Sequence, residues 1–171
     1  MVPLAGHRHG VPALFAANRN GQYILSDMDS SASVLIGVSA ATVYAYVMDV
    51  THDSEWRTGV VEASFTSDPP IGIGSTGSDR IEANGRQVVA TWTVFEFEPG
   101  VFARWTLDSG PIRGTGGYIC ESVDSGTRFT LEAHVKPTGW YRLLGPIFGL
   151  IGRKQNRSDV LKLKALLEDD S

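Results

Sequence analysis

Proton transfer inside an apolar cavity needs a titratable side chain that points inward, and the candidates in this sequence are His52, Asp79, Arg80, Glu82, Arg104, Tyr118 and His134. Strand alternation sorts several of them. His134 shares its parity with Arg128 and Glu132, opposite Phe129, Leu131, Ala133 and Val135, which points it to solvent. Arg104 alternates with Trp105 and points away from it. His52 and Asp53 stand just ahead of Trp56, where they can reach an entrance or cap a helical turn, and capping is the preferred reading. Tyr118 shares a face with Gly116 and Cys120. A buried phenol seeks a hydrogen-bond partner, so it either orients a ligand carbonyl or satisfies a core neighbour, and it is the one candidate catalytic group that remains. Cys120 lies in mid-strand with no histidine close in sequence and reads as a small apolar residue.

Other chemistries lack their apparatus. The sequence has no GxSxG elbow, no GxxxxGK[ST] phosphate loop and no helix with metal-spaced His and Glu. Gly72 to Gly77 is glycine-rich but precedes a strand-like run rather than a helix, so no dinucleotide site follows. Neither a cofactor nor a metal is expected.

The elements that must position these side chains are legible from punctuation and period. Ser31 to Val38 fits an opening strand, and Ser39 then caps a helix over Ala40–Met48. A second short helical turn over His52–Arg57, capped by Thr51 or Asp53, buries Trp56. From Val60 onward, turn signals at Asp68-Pro69-Pro70, Asn84-Gly85, Glu98-Pro99-Gly100, Ser109-Gly110-Pro111 and Asp124-Ser125-Gly126 divide a meander of about six strands. Short connections imply antiparallel neighbours. Beyond Pro137 the period moves towards that of a helix: Trp140, Leu144, Phe148 and Ile151 form a stripe that Val160, Leu163 and Leu167 continue. The reading is a long amphipathic helix from about residue 139, kinked or restarted at Pro146.

Composition bounds the rest. The chain has 171 residues with 42% hydrophobic and 20% charged, which suits one globular domain over 24–171. Fifteen Lys and Arg against nineteen Asp and Glu leave a net charge of −4, without the basic excess of a nucleic-acid binder. The single cysteine favours a reducing compartment, the cytoplasm. Residues 1–23 read as a poorly ordered leader whose apolar run, Val11 to Ala17, is at the lower limit for a signal peptide. Leu143 to Ile151 is broken by Gly145, Pro146 and Gly149 and is too short to span a membrane.

The order strand, two small helices, antiparallel meander and long C-terminal helix resembles the helix-grip arrangement of the START-like (SRPBCC) superfamily. The pieces VSAATVYAYVMDVTHDSEWRTGV, WTVFEFEPG, GTRFTLEAHV and DVLKLKALLED look most like its polyketide cyclase/dehydrase-like branch, and the resemblance covers about Ser30 to Asp169. It implies an α+β fold in which a curved sheet of about seven strands wraps the long helix around an apolar cavity. The helix wall would come from Leu144, Phe148 and Ile151, and the sheet wall from Trp92, Trp105, Tyr118, Phe129, Leu131 and Ala133, with Trp56 near the mouth. Binding of a small hydrophobic molecule, aromatic polyketide-like or lipid, is the expected function. A cyclase/dehydrase working by general acid–base catalysis, and a protein that docks a partner through Leu143–Ile151, are the alternatives.

Overall fold

The computed structural model describes residues 28–83, 85–109, 112–137 and 145–169. The expected leader, residues 1–23, lies outside them. Strand β1 (Met28–Ile36) is followed by helix α1 (Ala40–Met48), a single 3-10 turn (Val50–His52) and the short helix α2 (Asp53–Trp56). Strands β2 (Val60–Phe65), β3 (Thr76–Ala83), β4 (Arg86–Glu98), β5 (Phe102–Ser109), β6 (Ile112–Val123) and β7 (Gly126–Pro137) come next, and α3 (Gly145–Asp169) ends the described chain. The strands form one curved antiparallel sheet in the order β1-β7-β6-β5-β4-β3-β2. The meander therefore keeps its sequence order, and β1 returns to close it against β7.

Local chemistry explains the starts. Ser39 has extended backbone (φ −63°, ψ 150°) and its hydroxyl accepts from the Thr42 N–H at 3.2 Å, which is an N-cap for α1. The next cap departs from expectation. Asp49, not Thr51 or Asp53, caps the 3-10 turn, and α2 has no side-chain cap. Asp53 is thereby released for another task. Pro146 is the second described residue of α3, and the expected kink or restart there depends on residues that lie outside the described ones. Residues 138–144, which the periodicity placed in the same helix, lie outside the described residues.

Packing follows the period-2 pattern on β7. Phe129 and Leu131 are buried and Ala133 and Val135 half-buried, while Arg128, His134 and Lys136 are exposed. The main core joins Ile36, Val43, Val47, Trp56, Phe129, Val160, Leu163 and Leu167, so α1, α2 and α3 all pack on the β1–β7–β6 side of the sheet. A second cluster, Val50, Val60, Ala63, Trp92 and Val94, fills the β2–β4 side. Trp56 is fully buried, with its ring edge-on to Phe129 at 5.9 Å, and belongs to the core rather than to a mouth. Ile151 departs from the expected stripe: it is 53% exposed. Nine residues separate it from Val160, and at about 100° per residue that places the two on opposite faces of α3.

Leu163→Ala should cost about 2–5 kcal/mol, the range for a truncated buried leucine, and Leu161→Ala, on the exposed side of the same helix, less than about 0.5 kcal/mol. Urea unfolding followed by circular dichroism measures both. Equal costs would mean that α3 packs by its other face.

Candidate functional site

Where the two clusters meet, a cleft opens between the end of α1, α2 and the inner face of the sheet. Its walls are Val47, Met48 and Val50 on one side and Phe65, Trp92, Val94, Ala103 and Trp105 on the other. Asp53, Arg57 and Tyr118 supply its polar groups. The enclosed room between these walls is small, and the cleft is partly open to solvent.

The two tryptophans reach into this space because each lies over a strand glycine. A Cβ on Gly77 would come 2.1 Å from the Trp92 ring, and a Cβ on Gly116 would come 2.8 Å from the Trp105 indole nitrogen. Alanine at either position would displace an indole. Trp105 also meets Tyr118 edge-on at 4.6 Å, and Phe65 meets Trp92 edge-on at 5.1 Å, so the sheet-side wall is largely aromatic.

The polar end is an ion cluster that the alternation argument missed. Arg57 Nη1 donates to Asp53 Oδ2 at 2.7 Å and to Asp79 Oδ2 at 3.1 Å. The indole N–H of Trp92 donates to Asp79 Oδ1 at 2.7 Å. Both carboxylates are buried, yet 22% of the Arg57 side chain is exposed. Asp53 Oδ1 is buried without a hydrogen-bond partner among the described residues. The cluster thus holds two carboxylates to one guanidinium, with the Tyr118 phenol the nearest donor left to Asp53.

Burial pushes the Asp53 carboxyl above its ordinary value, against the pull of the Arg57 charge. Burial also drives the Tyr118 phenol well above its ordinary value, with the Arg57 charge opposing, so the phenol stays neutral and can donate. For Arg57 burial works against the charge, but the Asp53 and Asp79 carboxylates beside it oppose that, so the guanidinium stays charged. Cys120, behind the cleft, is pushed up to about 12 by burial, in keeping with an unreactive core thiol.

A polar latch holds the residue after Arg57. Buried Asp159 on α3 accepts from the Thr58 N–H at 3.1 Å and from its hydroxyl at 2.5 Å. Lys162 Nζ donates to the same hydroxyl at 3.0 Å, and Gln155 Nε2 donates to the Thr58 carbonyl at 2.9 Å. The long helix therefore fixes the chain direction at the point where Arg57 enters the cleft.

The expected residues are distributed unevenly around this site. Trp92, Trp105 and Tyr118 line the cleft. Phe129 and Leu131 stand beside Tyr118 in the closed core, and Ala133 lies one strand beyond Gly116, half-buried and away from the walls. Trp56 is core, Ile151 faces solvent, and Leu144 and the Phe148 side chain lie outside the described residues. Of the acid–base candidates, Asp79 alone joins Tyr118. His52 stacks on Tyr46 and contacts Glu55, Arg80 pairs with Glu62, and Glu82 is exposed. Arg104 bridges Glu96 and Glu132, and His134 meets Asp29, all on the outer face. Two signals point to the missed cluster: the i, i+4 spacing of Asp53 and Arg57, and the shared strand parity of Gly77 and Asp79.

A curved antiparallel sheet with a long terminal helix and an aromatic cleft on its inner face defines a helix-grip domain. The chain belongs to the polyketide cyclase / dehydrase and lipid transport family, whose model matches residues 28–168. Solved structures repeat the fold at low identity. A START superfamily protein from Mycobacterium smegmatis has 14% identity and a TM-score of 0.71, covering 84% of this chain and 99% of that one. The protein TTHA0849 from Thermus thermophilus has 17% identity and a TM-score of 0.70, covering 84% and 99%. The Zhui aromatase/cyclase from Streptomyces sp. R1128 has 10% identity and a TM-score of 0.68, covering 82% and 93%. No curated protein matches the sequence.

The raised Asp53 carboxyl has a measurable consequence. Because the folded state holds this proton more tightly than the unfolded chain, the contribution to stability is fully present below the ordinary value of 3.8 and is lost as pH rises through the higher folded value. The stability of the wild type minus that of Asp53→Asn should therefore fall as pH rises from 3.8 and then level off. Denaturant titrations across acid to neutral pH check this, and a difference that rises with pH would mean that Arg57 outweighs burial at Asp53.

Proposed function

We propose that the protein binds a small hydrophobic molecule with an oxygen at one end, of the aromatic polyketide or lipid type, in the cleft between Trp92, Trp105 and Arg57. The observation that carries this reading is the partly exposed guanidinium at the polar end of an otherwise apolar cleft. Rings and chains gain from leaving water between the tryptophans, at about 25 cal/mol per Å² of apolar surface removed. A carbonyl or phenolate oxygen would accept from Arg57 and from the neutral Tyr118 phenol, which selects an oxygenated apolar molecule over a plain hydrocarbon. The family description, with both cyclase and lipid transport in it, supports a hydrophobic ligand of this kind. The cytoplasm is the proposed compartment, from the single buried thiol.

One observation favours a second reading, proton-transfer catalysis of the cyclase/dehydrase kind. Asp53 Oδ1 is a buried acceptor on a carboxyl whose proton affinity burial has raised, beside a cation able to polarise a carbonyl. In such a reaction Asp53 would take a proton from the carbon next to a ligand carbonyl, while Arg57 and Tyr118 would hold the enolate oxygen.

Native mass spectrometry of freshly purified protein should show a co-purifying apolar molecule. A ligand present at a hundred times its dissociation constant, such as a hydroxyanthraquinone, should stabilise by about 2.7 kcal/mol and raise the melting temperature by about 5–11 °C. Ala103→Phe, which fills the cleft, should remove that shift. Arg57→Met should weaken an oxygenated ligand more than its deoxy analogue, and equal weakening of the two would place the oxygen elsewhere. For the second reading, a substrate must first be found to turn over. A loss of kcat beyond about a hundredfold in Asp53→Asn or Tyr118→Phe, with binding retained, would then favour catalysis over binding alone.

A further inference from the structure

The outward face of α3 combines apolar and basic side chains that nothing on the described molecule covers. Leu150 is 73% exposed, Ile151 53% and Leu161 51%. At about 100° per residue Leu150, Lys154, Arg157 and Leu161 fall on one stripe, with Ile151 and Arg153 at its flanks. The opposite side of the helix carries the packed residues Asp159, Val160, Leu163 and Leu167. Arg153, Lys154 and Arg157 are exposed, and no carboxylate of the described residues pairs with them. The lysines further along the helix are engaged: Lys162 with Thr58, and Lys164 with Glu168 and the Leu35 carbonyl. The sequence concentrates the charge here. Residues 133–158 include no Asp or Glu but carry Lys136, Arg142, Arg153, Lys154 and Arg157, in a chain whose net charge is −4.

We propose that this face docks the protein on an anionic lipid surface. Leu150, Ile151 and Leu161 would enter the boundary between headgroups and acyl chains, while Lys154 and Arg157 between them meet lipid phosphates. A convex helix with projecting leucines offers no walled pocket for a peptide side chain, whereas a lipid surface deforms around it. Unpaired cations beside exposed leucines supply the matching half of a negatively charged, apolar-cored partner. None of these side chains lines the cleft, so docking and cleft binding stand or fall separately.

The test is co-sedimentation of the full chain with vesicles of phosphatidylcholine and with vesicles in which part of it is replaced by phosphatidylglycerol. Binding is expected to the anionic vesicles only and should weaken with added salt. Lys154→Gln with Arg157→Gln should lower the partition coefficient about thirtyfold, at about a factor of five for each basic residue near the surface. Leu150→Ser with Ile151→Ser should lower it as well while leaving the circular dichroism and melting temperature unchanged, because both side chains are already in water. Absence of binding to either vesicle, or equal binding to both that ignores these substitutions, would overturn the proposal. So would a concentration-dependent dimer in light scattering that Leu150→Ser dissociates, since a second copy would then be the occupant.

Discussion

Two buried carboxylates share one guanidinium, and the inner architecture of the protein is organised by that imbalance. Arg57 reaches Asp53 along its own short helix and Asp79 across on β3, and Asp79 in turn takes the indole N–H of Trp92 from β4. One side chain thereby ties α2 to two strands. Taking such charges out of water costs several kcal/mol per ion, and a broken pair leaves that cost uncompensated, so the local backbone has little freedom to move without losing the whole set. The cation keeps some exposure while both anions are enclosed, which turns the favourable end of the cluster towards the cleft.

The cluster is held from behind as well as from within. Thr58, the next residue, is gripped by Asp159, Lys162 and Gln155, so α3 secures the chain at the entrance of Arg57 through polar contacts and secures the sheet through Val160, Leu163 and Leu167. The C-terminal half of that helix is thus structural on its inner face. Of its other face, only Lys164 and Glu168 near the C-terminal end bond the sheet side among the described residues, and the composition of the two faces differs accordingly.

How much of this was legible in the sequence depends on how local the cause is. The Ser39 cap and the alternation of β7 are decided within a few residues, and both read directly. The antiparallel meander followed from short connections. The ion cluster was less accessible because an aspartate ahead of a tryptophan at a helix start is ordinarily a cap, and only the true cap, Asp49, frees it. Whether Asp79 faces in depends on the register of β3 against β4, which the glycine opposite Trp92 settles in three dimensions. Ile151 was misplaced for a different reason. A stripe from Ile151 to Val160 crosses nine residues, over which the helix turns through about two and a half revolutions.

The indoles that lie on Gly77 and Gly116 give the cleft an unusual kind of capacity. Its walls are rings seated on bare backbone, so the room available is governed by a few side-chain torsions and not by the spacing of strands. A sheet built this way can present chambers of different size without any change of hydrogen-bond ladder. Replacing either glycine would therefore change the room between the walls while the scaffold that carries them stays the same.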